Sequence, residues 1–523
     1  MSSGVEALAL PAVELWCTIA EVELELLRTN ARSHKIISQA VSFLLPQLLQ
    51  LMAQGTNADD GDDNTWDISM AAASCLQVIA ELLGDGVLEA VKTFVALNLQ
   101  HEDWRRREAA CHAMGAVVDG PTLENARGLV VSCTSFLTKA LDDPSITVRE
   151  TAAWSLSQFA VDHTVALPVA ELVPRLARSL SDHPRVAGKV CFVLQRIAEA
   201  SSPGGAGPHE NTTALSPFFL DLVKVLAQTA ESPTATEHGL RMAAFGALVT
   251  VVSHAGRDCE QHMLPVLQSV SQQLQVVLQG DQDPDCEVAT QLVSTLQVLT
   301  QRIPAVVSAP ETAGALVELY CAVQAKYQRV QGTAALCEEP LVALGPLVLS
   351  LQEKFEPYLA SVGPLVTSGI TNADQASVCR VSVRLVGEIS RALGAKMSAH
   401  CHALLESMYT KLNDRGVDRT IKPAIVECIG DIAFAIGGQF HVFLKLVVET
   451  LQAAASTTIA AGNPQDDEWV DYLNCLRESV LSTYTSIIWG LKTDGMLGSF
   501  QEYVNGVLEL VQRIVVEGVH TED

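Results

Sequence analysis

An all-α solenoid is the fold class that this amino-acid sequence predicts, and three observations predict it. Between His101 and Ala200 a short polar corner, a basic residue, small residues and an apolar helical stripe recur three times. The corners lie at Asp103-Trp104, Asp143-Pro144 and His183-Pro184, 40 residues apart each time. A self-similar helical unit of that length cannot bury its apolar side alone and must stack on its neighbours. The chain is also 48% hydrophobic but only 5% aromatic, which suits closely packed Leu, Val and Ala between helices. Valine is frequent, yet no strand-like alternation flanked by hairpin turns stands out.

The repeat length is that of HEAT or armadillo units. At 523 residues a compact chain would split into several domains, but a solenoid escapes that expectation because each unit touches only its neighbours. The predicted organisation is one HEAT-repeat solenoid over residues 1–523: regular repeats at 36–200, a Gly/Ser/Pro-rich loop at 201–216, less regular repeats at 217–351, and regular repeats again at 353–490.

In chain order, residues 15–28 read as a lone helix. Ile36 to Gln54 reads as a helix whose stripe is Leu44, Leu45, Leu48, Leu49 and Met52, with Pro46 tolerated. Its partner spans roughly 68–84 and stops at Gly84. Pairs follow at 86–118, 124–160 and 167–200, then less regularly at 217–254, 257–302 and 308–351. Rhythm returns at the corners Asp374 and Asp414. A last pair covers about 438–490, and a final helix lies near 496–517. The total is about ten helix pairs with an orphan helix at each end, so the chain reads as the interior of a longer solenoid. Asp143 to Arg149 and Asp374 to Arg380 share a spacing of six residues. Corner Asp and helix-start Arg are therefore expected to form a ladder between neighbours that fixes register more than it stabilises.

Sixty acidic against 34 basic residues give a net charge of −26. That argues against nucleic acid as a partner, which would need a basic face, and favours basic protein partners steered by the negative field. Thirteen cysteines are scattered, mostly within apolar stripes. With no basic n-region at the N-terminus, they point to a reducing compartment, cytosol or nucleus. No uninterrupted apolar run approaches the ~20 residues that span a bilayer, so membrane insertion is not expected. A phosphate-binding G-x-x-x-x-G-K-[ST] loop, a G-x-G-x-x-G turn and an H-E-x-x-H pair are absent from the sequence. His400-Cys401-His402 and Cys259-x-x-His262 lack a second ligand pair at zinc spacing. The chain is therefore expected to be no enzyme and to need no cofactor or metal.

Four aspartates on one short corner, Asp59, Asp60, Asp62 and Asp63, form a local well for Lys and Arg. Trp66 closes the corner with a flat face for a guanidinium or alkyl stem, a contact that contributes about 0.5–2 kcal/mol. The corner lacks the spaced ligands of a calcium-binding loop. Asp466, Asp467, Glu468 and Trp469 repeat that chemistry near the C-terminus. Trp154 and Phe192 lie in the second helices of their pairs, beside Glu150 and Glu199.

Five runs carry a resemblance: HEDWRRREAACHAMGAVVDGP from His101, DDPSITVRETAAWSLSQFA from Asp142, SDHPRVAGKVCFVLQRIAEA from Ser181, VDRTIKPAIVECIGDIAFAIGGQFHVFL from Val417, and EWVDYLNCLRESVLSTYTSIIWGLK from Glu468. In this order they resemble the importin-β family of nuclear transport receptors, colinearly over almost the whole chain. The resemblance implies a right-handed superhelix whose second helices line the concave face. It implies binding of the basic importin-α adaptor segment or a basic cargo signal there, docking on Phe-Gly nucleoporins along the convex face, and release by Ran-GTP. It also matches Asp59, Asp60, Asp62, Asp63 and Trp66 to the family's acidic loop, and Trp154 and Phe192 to aromatic positions that pack on the adaptor. Glu150, Glu199, Asp466, Asp467, Glu468 and Trp469 are weaker candidates. The family's first and last repeats fall outside the match. A monomer shuttling between cytoplasm, nuclear pore and nucleus is expected. A non-transport HEAT scaffold, or a sibling receptor binding cargo directly, would share the rhythm.

Overall fold

The computed structural model describes residues 3–54, 67–201, 211–280, 287–327, 334–372, 375–414, 416, 418–455 and 467–519. Among the described residues every regular element is a helix. They gather into two compact units, Met1–His262 and Met263–Asp523.

In the first unit the helices are α1 (Ser3–Arg28), α2 (Ile36–Met52), α3 (Ile68–Leu83), α4 (Leu88–Asn98), α5 (Trp104–Ala116), α6 (Leu123–Ala140), α7 (Ile146–Asp162), α8 (Val169–Ser179), α9 (Pro184–Ala200), α10 (Phe219–Ala230) and α11 (Leu240–Ser253). The second unit holds α12 (Met263–Gln279), α13 (Glu287–Arg302), the single turn α14 (Pro304–Val307), α15 (Pro310–Tyr327), α16 (Ala334–Leu351), α17 (Leu359–Thr371), α18 (Ala376–Leu393), α19 (Cys401–Asn413), α20 (Ile421–Ile436), α21 (Leu444–Ala455), α22 (Asp467–Thr493) and α23 (Val504–Val519).

Each unit is a stack of helix pairs. The first, or A, helix of a pair packs on its second, or B, helix, as α2 does on α3 and α17 on α18. B helices also pack on B helices of adjacent pairs: α1, α3, α5, α7, α9 and α11 in the first unit, and α13, α16, α18, α20 and α22 in the second. A B helix is thus covered on three sides, which is why its sequence is rich in small and branched apolar residues. In α3, Ala71, Ala72, Ala73, Cys75, Leu76, Ile79 and Ala80 are all buried. The stripe Leu44, Leu45, Leu48, Leu49 and Met52 of α2 is buried as its spacing requires, and Gly84 ends α3 at a φ of 61°. That left-handed conformation has no steric cost for glycine. The first helix is longer than the sequence suggests, beginning at Ser3 with Pro11 inside it.

Polar side chains close the helix ends between neighbours. Lys326 donates to the carbonyls of Val277 (2.9 Å), Leu278 (3.2 Å) and Gly280 (2.6 Å), capping α12 from α15. Lys411 on α19 does the same for Asn372 at the end of α17, at 2.8 Å. At the start of α2 the donors meet a carboxylate. Glu23 of α1, only 5% exposed, accepts from Ser33 Oγ and the Ile36 N–H at 2.8 Å and from the Ile37 N–H at 3.1 Å. Burial pushes its carboxyl up, but these hydrogen bonds outweigh burial and leave it below the usual glutamate range. A group of lowered pKa contributes stability above its unfolded pKa and loses it as pH falls through the folded value. Glu23→Ala is therefore expected to cost about 2 kcal/mol near neutral pH by stranding two helix-start donors, and the part of that deficit owed to the carboxylate's charge should shrink as pH falls through its lowered folded value. Urea melts of both proteins at pH 7 and pH 3 check this; an equal deficit at both pH values would refute the charged cap.

The expected Asp–Arg ladder between neighbours is present in the first unit, each arginine pairing with the aspartate of the following corner. Arg107 forks Asp143 of the next corner, Nε to Oδ2 at 2.7 Å and Nη2 to Oδ1 at 2.8 Å. Its third nitrogen caps the carbonyls of its own corner, His101 and Glu102. Arg149 repeats the arrangement on Asp182 at 2.7 and 2.8 Å, with Nη1 on the Asp143 carbonyl at 2.8 Å. In the second unit Asp374 lies outside the described residues. Arg380 there donates to Thr420 Oγ1 (3.1 Å), whose own hydroxyl donates to Asp418 (2.7 Å).

The expectation that no apolar run approaches a spanning length needs correction. Ile68–Asn98 and Ile421–Ala455 are long and apolar enough by composition. Each is divided between two helices, α3 with α4 and α20 with α21, by a glycine-led turn at Gly84 or Gly437. Half of each apolar window is buried within the stack.

Candidate partner-binding face

Stacking leaves each B helix one side free, and in the first unit that side carries the candidate aromatics. On α9, Val186, Ala187, Val190, Cys191, Val193, Leu194, Ile197 and Ala198 are buried. Helical periodicity then places Arg185, Lys189, Phe192, Arg196 and Glu199 on one open stripe. On α7, Ala152, Ala153, Ser155, Leu156, Phe159 and Ala160 are buried, which leaves Glu150, Trp154 and Gln158 half-buried on the matching stripe.

Trp154 meets the His112 ring of α5 edge-on, centroids 4.7 Å apart at 77°. It lies over Gly115, where an added Cβ would stand 2.6 Å from the Trp154 ring. The glycine therefore sets how deeply the indole seats, and α5 holds its orientation. Phe192 is 47% exposed on the adjacent B helix. Its larger exposed area is available to an apolar or alkyl group, though with a weaker attraction for cations than tryptophan offers.

The carboxylates beside these rings are already engaged. Glu150 accepts from Arg185 of the next repeat at 2.6 Å, with side-chain exposures of 18% and 24%. Glu199 pairs with Arg196 one turn away at 3.1 Å. Asp59, Asp60, Asp62, Asp63, Trp66 and Asp466 lie outside the described residues. Asp467 begins α22, Glu468 is exposed and Trp469 is half-buried. The Trp469 ring centroid lies 5.7 Å from that of Tyr472, and the Arg419 guanidinium stands 5.7 Å from Trp469. Arg419 thus occupies the neighbourhood that a partner's arginine would use.

Several features escape sequence reasoning. The C-terminal ends of three successive B helices bring Glu81, Asp119 and Asp162 into one field. Burial, then repulsion from Asp162 and Glu81, raises the Asp119 carboxyl. A partner cation would relieve that repulsion. In the second unit Phe434 on α20 is 58% exposed and Trp489 on α22 is 53% exposed, with Lys492 Nζ 4.2 Å from the Trp489 ring centroid. Spacing alone does not separate such residues from core, because a B-helix stripe reads as apolar on either side. Between A helices α4 and α6 runs a cleft of about 730 Å³, lined by Val91, Val95, Leu97, Leu129 and Phe136 among others. Among the described residues no cluster of three metal-ligating side chains forms. Cys401 is buried and its thiol turns to the Ser398 carbonyl, while His402 stacks near Phe443.

Comparison with known proteins adds the lineage. A family model described as importin subunit beta-1-like, TPR repeats, matches residues 171–523, and a HEAT-like repeat model matches residues 104–159. Importin subunit beta-1 of Schizosaccharomyces pombe is 29% identical over 98% of this chain and 60% of its own length. The Arabidopsis thaliana protein of that name is 28% identical over 98% of this chain and 61% of its own. A crystal structure of importin beta superposes with a TM-score of 0.84 at 28% identity, covering 98% of this chain and 60% of that one. The chain spans about three fifths of the length of the relatives it matches. With a family model covering well over half of its residues and HEAT units stacked throughout both units, the chain belongs to the importin subunit beta-1-like family.

Proposed function

We propose that this chain serves nuclear protein import as a receptor that takes a basic segment, that of importin-α or of a cargo, on its B-helix face. The observation that carries the reading is the pair of aromatics left open on adjacent B helices, Trp154 seated over Gly115 and Phe192 beside it. A chain of net charge −26 draws a basic partner in, and aromatic faces slow its departure. Asp59, Asp60, Asp62, Asp63 and Trp66 are proposed to take one part of that segment, and Trp154 and Phe192 another. Glu150, Glu199, Asp466, Asp467, Glu468 and Trp469 contribute less. Glu150 and Glu199 must first give up Arg185 and Arg196. Apolar clefts between A helices, such as that between α4 and α6, suit the Phe side chains of nucleoporins, and Ran-GTP is the proposed releasing factor.

The test is the affinity for an importin-α adaptor peptide at two salt concentrations, with and without Ran-GTP. Binding is expected to weaken with salt. Trp66→Ala/Trp154→Ala should weaken it about tenfold or more, beyond any single carboxylate change, since buried aromatic anchors dominate such interfaces. Failure of a folded sample to bind at low salt would sink the reading.

A further inference from the structure

The α9 stripe is cationic in a strongly acidic chain. It carries Arg185, Lys189 and Arg196 against Glu199 alone, with Phe192 in the middle. Arg185 and Arg196 are neutralised by Glu150 and Glu199. For Lys189, half-buried one turn from Phe192, the flanking helices offer nothing. On α7 the acidic residues are Glu150, already engaged by Arg185, and Asp162 at the far end. On the other side α11, Leu240–Ser253, has no acidic residue at all, and its stripe presents Met242 and Thr250. Among the described residues no ion pair to Lys189 forms.

We propose that Lys189, beside Phe192, is a specificity element of the B-helix face that selects a basic partner segment interrupted by a carboxylate. The inference rests on the receptor reading and refines it. A uniformly basic segment laid along Trp154 and Phe192 would set like charge against Lys189, and juxtaposed like charges penalise the wrong partner. A Glu or Asp at that point of the segment removes the repulsion and supplies the counter-charge that the described residues do not. The neighbouring Lys and Arg of the same segment still reach the aromatic faces and the acidic ends of α3, α5 and α7.

The probe is a Lys/Arg-rich importin-α adaptor peptide and a series of variants in which each position in turn is Glu. Each is titrated against the whole chain and against Lys189→Glu and Lys189→Gln, exposed-face changes whose folding is checked by thermal melts. One Glu position is expected to bind the unmodified chain about fivefold more tightly than the parent peptide, the scale of a solvent-accessible ion pair. That gain should disappear in Lys189→Gln and reverse in Lys189→Glu, while Glu at remote positions shows no coupling to residue 189. If every Glu weakens binding and none couples to Lys189, the selection is wrong although the receptor reading stands. If no peptide of the series binds, both fall.

Discussion

Gly120→Ala is expected to destabilise the first unit by about 3 kcal/mol, at the upper end of what overpacking costs. Gly120 follows α5, and a Cβ built on it overlaps the carbonyl oxygen and carbon of Ala80 near the end of α3. The obstacle is main chain, which cannot rotate aside as a side chain can. To admit one methyl group, the ends of α3 and α5 must separate, loosening Ile79, Ala80, Val117 and Val118, all buried. Gly128 on α6 and Gly188 on α9 are the controls, because a Cβ at either meets nothing within 4 Å. Alanine at those interior helix positions is expected to stabilise by about 0.5–1 kcal/mol. Urea unfolding of the three variants compares them directly. A Gly120→Ala midpoint equal to that of the unmodified chain would show that the helix ends part freely.

Arg149→Ala is the second substitution with a large expected effect, about 2–3 kcal/mol. The guanidinium joins two repeats through four hydrogen bonds that alanine cannot imitate: two to the Asp182 carboxylate, forked at 2.7 and 2.8 Å, and one each to the Asp143 and Pro144 carbonyls of its own corner. Removing it leaves Asp182, 21% exposed, without its counter-ion, and an abandoned, partly buried charge is the costly product of breaking such a pair. Arg149→Lys should recover little, since an ammonium cannot fork a carboxylate and cap a carbonyl together. Asp182→Ala in the Arg149→Ala background should cost much less than it does alone, because the two share one interaction. Equal and additive losses in a double-mutant cycle would show that the ladder is decorative.

The repeat rhythm was legible because stacking imposes it on composition. A B helix covered on three sides tolerates only small and apolar residues there, and the polar corner between helices must return every 40 residues. Helix ends were legible at Gly84 and at Pro184, where backbone chemistry is local. Asp143 and Arg149 were recognisable as ladder residues, but which residues they pair with was not, because the reach of Arg107 to Asp143 and of Arg149 to Asp182 depends on how one corner faces the next. The apolar runs at 68–98 and 421–455 meet a length and composition test that the sequence reading denied them, and only the stack shows that half of each window is buried.

By itself, the sequence determined the fold class, the helix pairs and the presence of an aromatic at Trp154 and Phe192. These follow from periodicity, which is a property of each helix alone. Which side of each helix is free, and what shares that side, only the tertiary structure decided. It seated Trp154 over Gly115, engaged Glu150 with Arg185, gathered Glu81, Asp119 and Asp162, and left Lys189 without a counter-charge among the described residues. The physical reason is that charge pairing and exposure are set between helices, at distances of a few ångströms that join residues some 35 to 45 positions apart in the chain.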